Sequence, residues 1–318
     1  MKINSVSVVI ATHSGRRWDS LLRAVASARA QEHVPAEIIV VVDHNPALGV
    51  RVRDEVPGVT VLDNRFARGA SGTRNTGGFH ARTSLIAFLD DDTSACPGWL
   101  AGVLAPFEDP GVVGTGGGIV GAWQGVRPRW MPDEFLWTVG ISYTGMPTST
   151  APIRNVWSAN MVVRRDVFLA VDGFRAGFGK LGEQNRPEDT DLCLRMSALG
   201  GGRWMYVPEA VIRHEVPLAR TTFSFFLRRC YAEGRGKVQM AALLDDDVQK
   251  LDTERNYLRR TLPRAVSRSL ADAGRGRGMA HALRAGSVLA GIGAAGIGGA
   301  VESFAARGTR TRSVAPTG

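Results

Sequence analysis

The sequence predicts an α/β protein in which a mixed, mainly parallel sheet is covered by helices, followed by a helical, basic extension. Short β-branched runs alternate with amphipathic stretches through the first two thirds of the chain, polar residues stand at the C-terminal end of each run, and beyond Val211 the pattern turns helical and arginine-rich. With 318 residues, 44% of them apolar, the chain exceeds one average domain and can bury a substantial core. The expected division is a domain over 1–217 and an extension over 218–318.

Each element has a local reason. Ser7–Ala11 (SVVIA) reads as the first strand, and Trp18 to Gln31 has helical periodicity. Glu37–Val42 (EIIVVV) predicts a second strand ending at Asp43, and Val59–Leu62 a shorter third. Gly72 to Ala81 carries a turn into a helix, and Ser84–Leu89 (SLIAFL) forms a strand that ends at Asp90, Asp91 and Asp92. The Gly/Val run Gly111–Gly121 and Asn160–Val163 are extended, Arg165–Val171 is a short helix, and Gln124–Asn155 is irregular. Gly173–Arg186 is rich in glycine and charge and reads as a mobile loop leading into a helix at Glu188–Leu199, before a strand at Tyr206–Ile212. No internal repeat is found.

Composition bounds the function. Cys96, Cys193 and Cys230 are odd in number and lack metal-ligand or redox spacing, so neither a disulfide framework nor a zinc site is expected. The N-terminal residues run straight into a strand without a leader pattern, and a cytoplasmic location is expected. The net charge of +9 is all in the last third, where residues 213–318 hold 18 Lys and Arg against 9 Asp and Glu. Such a tail can meet anionic lipid at the inner face of the cell membrane or be the solvated face of helices; no nucleic-acid partner is expected. Residues 285–301 lack charge, but Gly and Ala dominate them, so a spanning helix is not expected, whereas peripheral surface contact is allowed.

The chemistry concentrates where strands end. Ligands bind at the C-terminal edge of open α/β sheets, and Asp90, Asp91 and Asp92 place three carboxylates there. Such density calls for a hard cation, Mg2+ or Mn2+, although an acidic turn would look the same in isolation. A second triplet, Asp245–Asp247, lies in a polar helical stretch and reads as a solvated face. Glu188, Asp189 and Asp191 open a helix, where the helix dipole alone would favour acids. His214 follows a strand and could join Asp92 on a metal or be an ordinary core histidine. Arg74, Asn75 and Gly77, in GASGTRNTG, form a turn with a cation suited to a diphosphate.

In this order the pieces resemble family 2 glycosyltransferases, over roughly Val6 to His214. VVIATHSGR is similar to the family's opening strand and nucleotide-contacting turn, with Ala11 in place of the usual proline and Thr12 retained; Asp43 in VVVDHN corresponds to the acid that binds the base. The resemblance implies a GT-A fold, an inverting transfer from a nucleotide diphosphate sugar to a hydroxyl acceptor, and a divalent cation, Mn2+ or Mg2+. It implies that Thr12, Asp43, Arg74, Asn75, Asp90 and Glu188 bind the donor, that Asp92 and His214 hold the metal, and that Asp189 is the catalytic base. No Q-x-x-R-W signature of processive synthases occurs. The segment HEVPLARTTFSFFLRRCYAEGRGK also resembles a stretch found in microbial members that act on lipid-linked glucose, so a lipid-linked acceptor is included. The rival readings are a nucleotidyltransferase, which would be expected to carry a glycine-rich, lysine-bearing N-terminal loop, and a non-catalytic membrane or nucleic-acid adaptor. Donor sugar, base, acceptor and oligomeric state are not legible.

Overall fold

The computed structural model describes residues 5–176, 178–181, 184–243 and 257–312. The chain forms two compact units, one from residues 1–122 and 147–215, the other from 123–146 and 216–318. The acidic triplet Asp245–Asp247 lies outside the described residues.

The first unit is built on β1 (Val6–Thr12), α1 (Trp18–Arg29), β2 (Glu37–Val42), α2 (Pro46–Glu55), β3 (Thr60–Asp63), α3 (Ala70–His80), β4 (Leu85–Asp90), β5 (Thr93–Ala95), α4 (Trp99–Leu104) and β6 (Val112–Trp123). It continues with β7 (Ala151–Ile153), β8 (Asn160–Arg164), α5 (Arg165–Ala170), β9 (Gly179–Leu181), β10 (Gln184–Arg186), α6 (Glu188–Ala198) and β11 (Arg203–Val216). The sheet order is β3-β2-β1-β4-β8-β6-β11-β5, with β7 beside β11. Strands β3, β2, β1 and β4 are mutually parallel. Strand β8 enters antiparallel to both β4 and β6, and β5 and β7 pair antiparallel to β11.

Both faces of the parallel half are buried, which explains why its strands are continuous apolar runs. Val8, Ile10, Val40 and Val42 pack with Trp18, Leu21, Leu48 and Trp99 from α1, α2 and α4. Val9, Ile39, Val41 and Phe88 pack on the opposite face with Phe168, Leu192 and Met196 from α5 and α6. Helix α2 was missed by periodicity although its start is marked: Asn45 caps the Leu48 N–H through its side chain, and Pro46 follows at the first turn. The segment expected as a mobile loop over Gly173–Arg186 contains the antiparallel pair β9–β10.

Asn160 ties the two halves of the sheet together. Its amide nitrogen donates to the carbonyls of Gly118 (3.0 Å) and Ala210 (3.2 Å), and its oxygen accepts from Trp99 Nε1 at 2.7 Å. Gly117 lies so close to β11 that a Cβ there would stand 1.9 Å from the Ala210 carbonyl oxygen. The Gly/Val-rich composition of β6 is thus a packing requirement.

The second unit gathers residues 123–146 with α7 (Phe223–Leu243), α8 (Leu262–Gly274) and α9 (Met279–Arg312). The sequence reading placed 123–146 within 1–217, whereas its contacts are with these helices. Phe135, Phe226, Cys230, Leu262 and Val288 form its buried centre, and Met131, Val139, Ile141 and Val216 a second cluster. Helices α7 and α9 meet at glycines: a Cβ on Gly234 would stand 1.9 Å from the Ala295 carbonyl oxygen, and one on Gly298 2.1 Å from that of Tyr231. Helix α9 contains the stretch Met279–Ala305, long and apolar enough by length and composition to cross a membrane.

The seating of α3 on the sheet generates a prediction. A Cβ at Gly77 would lie 2.4 Å from Val9 Cγ1 and 3.0 Å from Val41 Cγ2, and both valines are fully packed. At an unhindered helical site Gly→Ala stabilises by up to about 1 kcal/mol, but here overpacking dominates, so Gly77→Ala should destabilise by about 1–3 kcal/mol in denaturant unfolding. A stabilised variant would show that α3 is not held by this contact.

Candidate functional site

The expected site residues all lie in the first unit, and two strand ends and two helices bring most of them together. Strand β4 delivers Asp90, Asp91 and Asp92 at its C-terminal end, beside β1, where Ala11 is in register with Asp90. Strand β11 delivers His214, because its pairing with β5 sets His214 opposite Thr93 and the Glu215 N–H donates to the Asp92 carbonyl at 2.9 Å. Helix α3 supplies Arg74, and the first turn of α6 supplies Glu188 and Asp189.

The three aspartates have different partners. Asp90 Oδ1 accepts from Arg74 Nη2 at 2.6 Å. Asp91 is buried and accepts from the Thr12 hydroxyl and from Arg17 Nη1, each at 2.7 Å. Asp92 has Arg17 Nη1 3.1 Å from one oxygen and His214 Nε2 3.7 Å from the other. Arg17, placed by the turn after β1, is therefore the cation of the acidic rim, a role that sequence reasoning missed.

Arg74 joins this rim to the second acid pair. Its guanidinium is buried, with Nη2 on Asp90 and Nη1 3.7 Å from Glu188 Oε1, and Nη1 has no hydrogen-bond partner. Burial works against its charge, but Asp90, Asp189 and Glu188 outweigh that and raise its pKa. Burial likewise opposes ionisation of Asp90, yet the Arg74 charge and hydrogen bond hold its carboxyl below the usual value. Asp91 moves the other way, because burial exceeds the help from Arg17 and Thr12.

Asp189 and Glu188 are both pushed up. For Glu188 burial and the neighbouring Asp189 charge outweigh Arg74, and the value reaches about 7. For Asp189 burial dominates, with repulsion from Asp90 added and with Arg74 and Ser158 opposing. The Ser158 hydroxyl and peptide N–H donate to the Asp189 carboxylate, while its Oδ1, though buried, has no hydrogen-bond partner. Buried polar atoms are nearly always paired, so unpartnered atoms on Asp189 and Arg74 mark a place where a ligand's polar groups fit. Ser158 was not foreseen from sequence.

Two expected donor contacts are arranged differently. Asn75 faces the protein: its amide donates to the Phe174 carbonyl at 2.7 Å and accepts the Phe174 N–H at 2.8 Å. Asp43, at the end of β2, accepts from Asn64 at 2.7 Å, from the His44 ring at 2.8 Å and from the Gly69 N–H at 2.9 Å. Burial alone would raise its pKa, but these three donors lower it. By fixing Gly69, the residue before α3, Asp43 orients the start of the helix that carries Arg74.

The donor set for a cation is small. No group of three or more His, Cys, Asp or Glu residues fit to hold a metal occurs among the described residues. Asp92 and His214 provide one carboxylate oxygen and one ring nitrogen side by side, which fits a hard divalent ion that takes its remaining ligands from substrate phosphate and water.

With this geometry in hand, known proteins supply the wider context. The model of "Glycosyl transferase family 2" matches residues 7–171, a span that holds Thr12, Asp43, Arg74, Asn75, Asp90 and Asp92 and ends before Glu188, Asp189 and His214. The glucosyl-dolichyl phosphate glucuronosyltransferase of Haloferax volcanii is 31% identical over 259 residues, covering 80% of this chain and 82% of that protein. The pre-mycofactocin glycosyltransferase of Mycobacterium tuberculosis is 29% identical over 214 residues, 66% of this chain but only 42% of the relative. Among solved structures, the Pyrobaculum calidifontis mannosyltransferase PcManGT with GDP-Man and Mn2+ superposes with a TM-score of 0.58 at 17% identity, covering 94% of this chain and 86% of that one. GalNAc-T7 with UDP, GalNAc and Mn2+ gives 0.53 at 17% identity, covering 80% and 54%. The fold is therefore GT-A, as the sequence predicts, and the family match over half the length, joined to a relative sharing 31% identity across most of both chains, shows that this chain belongs to glycosyl transferase family 2.

Proposed function

We propose that this glycosyltransferase moves a sugar from a nucleotide diphosphate donor to a hydroxyl of a lipid-linked acceptor, in a single displacement that inverts the anomeric carbon. The observation that carries the reading is that Asp189 and Arg74, whose charges influence each other, each keep one buried polar atom without a hydrogen bond, Asp189 Oδ1 and the Arg74 Nη1 that stands 3.7 Å from Glu188. Asp189 accepts the proton of the acceptor hydroxyl as that oxygen attacks. Burial raises its pKa and so makes it a stronger base than an exposed aspartate. Arg74 faces the negative charge that develops on the departing diphosphate and holds Asp90 and Glu188 in place. Asp92 and His214 would hold Mn2+ or Mg2+, which supplies further positive charge for the diphosphate.

Within this reading Thr12 supports the donor through Asp91, and Asp43 and Asn75 act by fixing the two ends of the α3 environment. The catalytic domain is taken as 1–217 in sequence, of which residues 123–146 pack with the helices of the second unit. The lipid-linked acceptor is supported by the dolichyl phosphate relative, and with such an acceptor goes a place at the membrane, in lipid-linked or cell-surface glycan synthesis.

Three outcomes are expected. Asp189→Asn should keep nucleotide-sugar binding while turnover falls at least about a hundredfold, since a positioned base contributes about 10²- to 10⁴-fold; near-normal turnover would remove Asp189 from the role. Because the Asp189 pKa is raised, its basic form is lost on acidification above the ordinary aspartate value of about 3.9, so the acid limb of kcat should lie clearly above about pH 4. A rate flat down to that pH would contradict the assignment. Chelator should abolish transfer and Mn2+ or Mg2+ should restore it; activity indifferent to chelator would count against Asp92 and His214 as a cation site.

A further inference from the structure

Helix α9 leaves an apolar face open to solvent. Between Met279 and Ala305 its ionised residues are Arg284 and Glu302, and both are engaged within the second unit. Arg284 donates to the Arg129 carbonyl at 3.0 Å, and Glu302 accepts from Arg235 at 2.7 Å and Gln239 at 2.8 Å. The opposite side is apolar and open. Met279 (75% exposed), Leu283 (52%), Leu289 (60%), Ile297 (62%) and Phe304 (72%) repeat at steps that sum threes and fours, and exposed small residues stand between them. At about 1.5 Å per residue the stripe is about 40 Å long. A soluble helix presents its charges to water and its apolar side to the core; here Val288 and Ala285 are buried in the unit, the two ionised groups are engaged by it, and the face left to solvent is apolar as well.

We propose that this face is a docking surface for an anionic lipid bilayer, with α9 lying in the plane of the interface and not crossing it. Two features select the occupant and its orientation. Arg275 and Arg277, which share Asp272 as ion-pair partner, precede the apolar stretch and Arg307, Arg310 and Arg312 follow it in sequence, within a C-terminal third that carries all of the net positive charge. Two copies of a segment with this net positive charge repel each other, whereas anionic head groups attract it. The helix packed along the other side of α9 carries Arg228, Arg229, Glu233, Arg235 and Lys237, groups too costly to carry through hydrocarbon. The stretch is long enough to span, and an 18-residue window of it has a mean hydropathy of 1.5 with 17% buried in the protein, yet its charged neighbour keeps it at the surface.

This inference extends the membrane part of the function proposed above and does not depend on the role of Asp189. It is tested with the full chain, using vesicles of phosphatidylcholine alone or mixed with phosphatidylglycerol, and the double variant Leu289→Glu/Ile297→Glu. Circular dichroism and thermal melting confirm that the variant folds, and Mn2+-dependent nucleotide-sugar binding reports the catalytic unit separately. The wild type should sediment with anionic vesicles and be released by alkaline carbonate, and the variant should partition at least about tenfold less. Equal sedimentation of the variant, a wild type left in the supernatant, or resistance to carbonate extraction would overturn the proposal. So would a wild-type dimer, seen by light scattering, that the variant dissolves into monomers.

Discussion

The first unit's chemistry depends on one buried guanidinium. Arg74 stands between an acid at the end of β4 and two acids at the start of α6, elements far apart in sequence that meet through it. Removing one partner from such a network leaves an uncompensated buried charge, which is strongly destabilising. The surroundings of Arg74 are correspondingly fixed. Gly77, three residues along, lets α3 press against Val9 and Val41, Asp43 holds the residue before the helix, and Asn75 clamps the Phe174 backbone.

The same arrangement divides labour among three consecutive aspartates that would otherwise repel one another. Asp90 is neutralised by Arg74, Asp91 turns inward to Thr12 and Arg17, and Asp92 is left between Arg17 and His214. A carboxylate rim of this kind can receive a cation or a cationic side chain, and Arg17 is the chain's own occupant of that position. On the other side of Arg74, Asp189 combines a raised pKa with an oxygen left open, the two properties a general base needs.

Much of this was legible in the sequence, for identifiable reasons. Strands such as β2 are buried on both faces over Ile38 to Val42 and therefore appear as unbroken apolar runs, and the acids that follow them sit where ligands bind in such sheets. What stayed hidden depends on contacts between distant segments. Arg17 is one of two adjacent arginines in a turn, and only its placement against Asp91 and Asp92 distinguishes it. Ser158 is a serine in an irregular stretch until the fold sets it on Asp189. Asn75 reads as a ligand contact because its motif is polar, but its amide serves the Phe174 backbone. Residues 123–146 look like a loop of the catalytic part because loop composition says nothing of which core a loop joins; Phe135 and Met131 bind it to the helical unit.

The claim that Arg74 links the acid rim to Glu188 and Asp189 is tested most directly by calorimetric titration of a nucleoside diphosphate into the wild type and Arg74→Lys, with Mn2+ present. Lysine keeps a positive charge beside Asp90 but lacks the planar fork that reaches Glu188 as well. The account predicts a folded variant that binds the diphosphate at least about tenfold more weakly than the wild type. Equal affinity in the two proteins would contradict it.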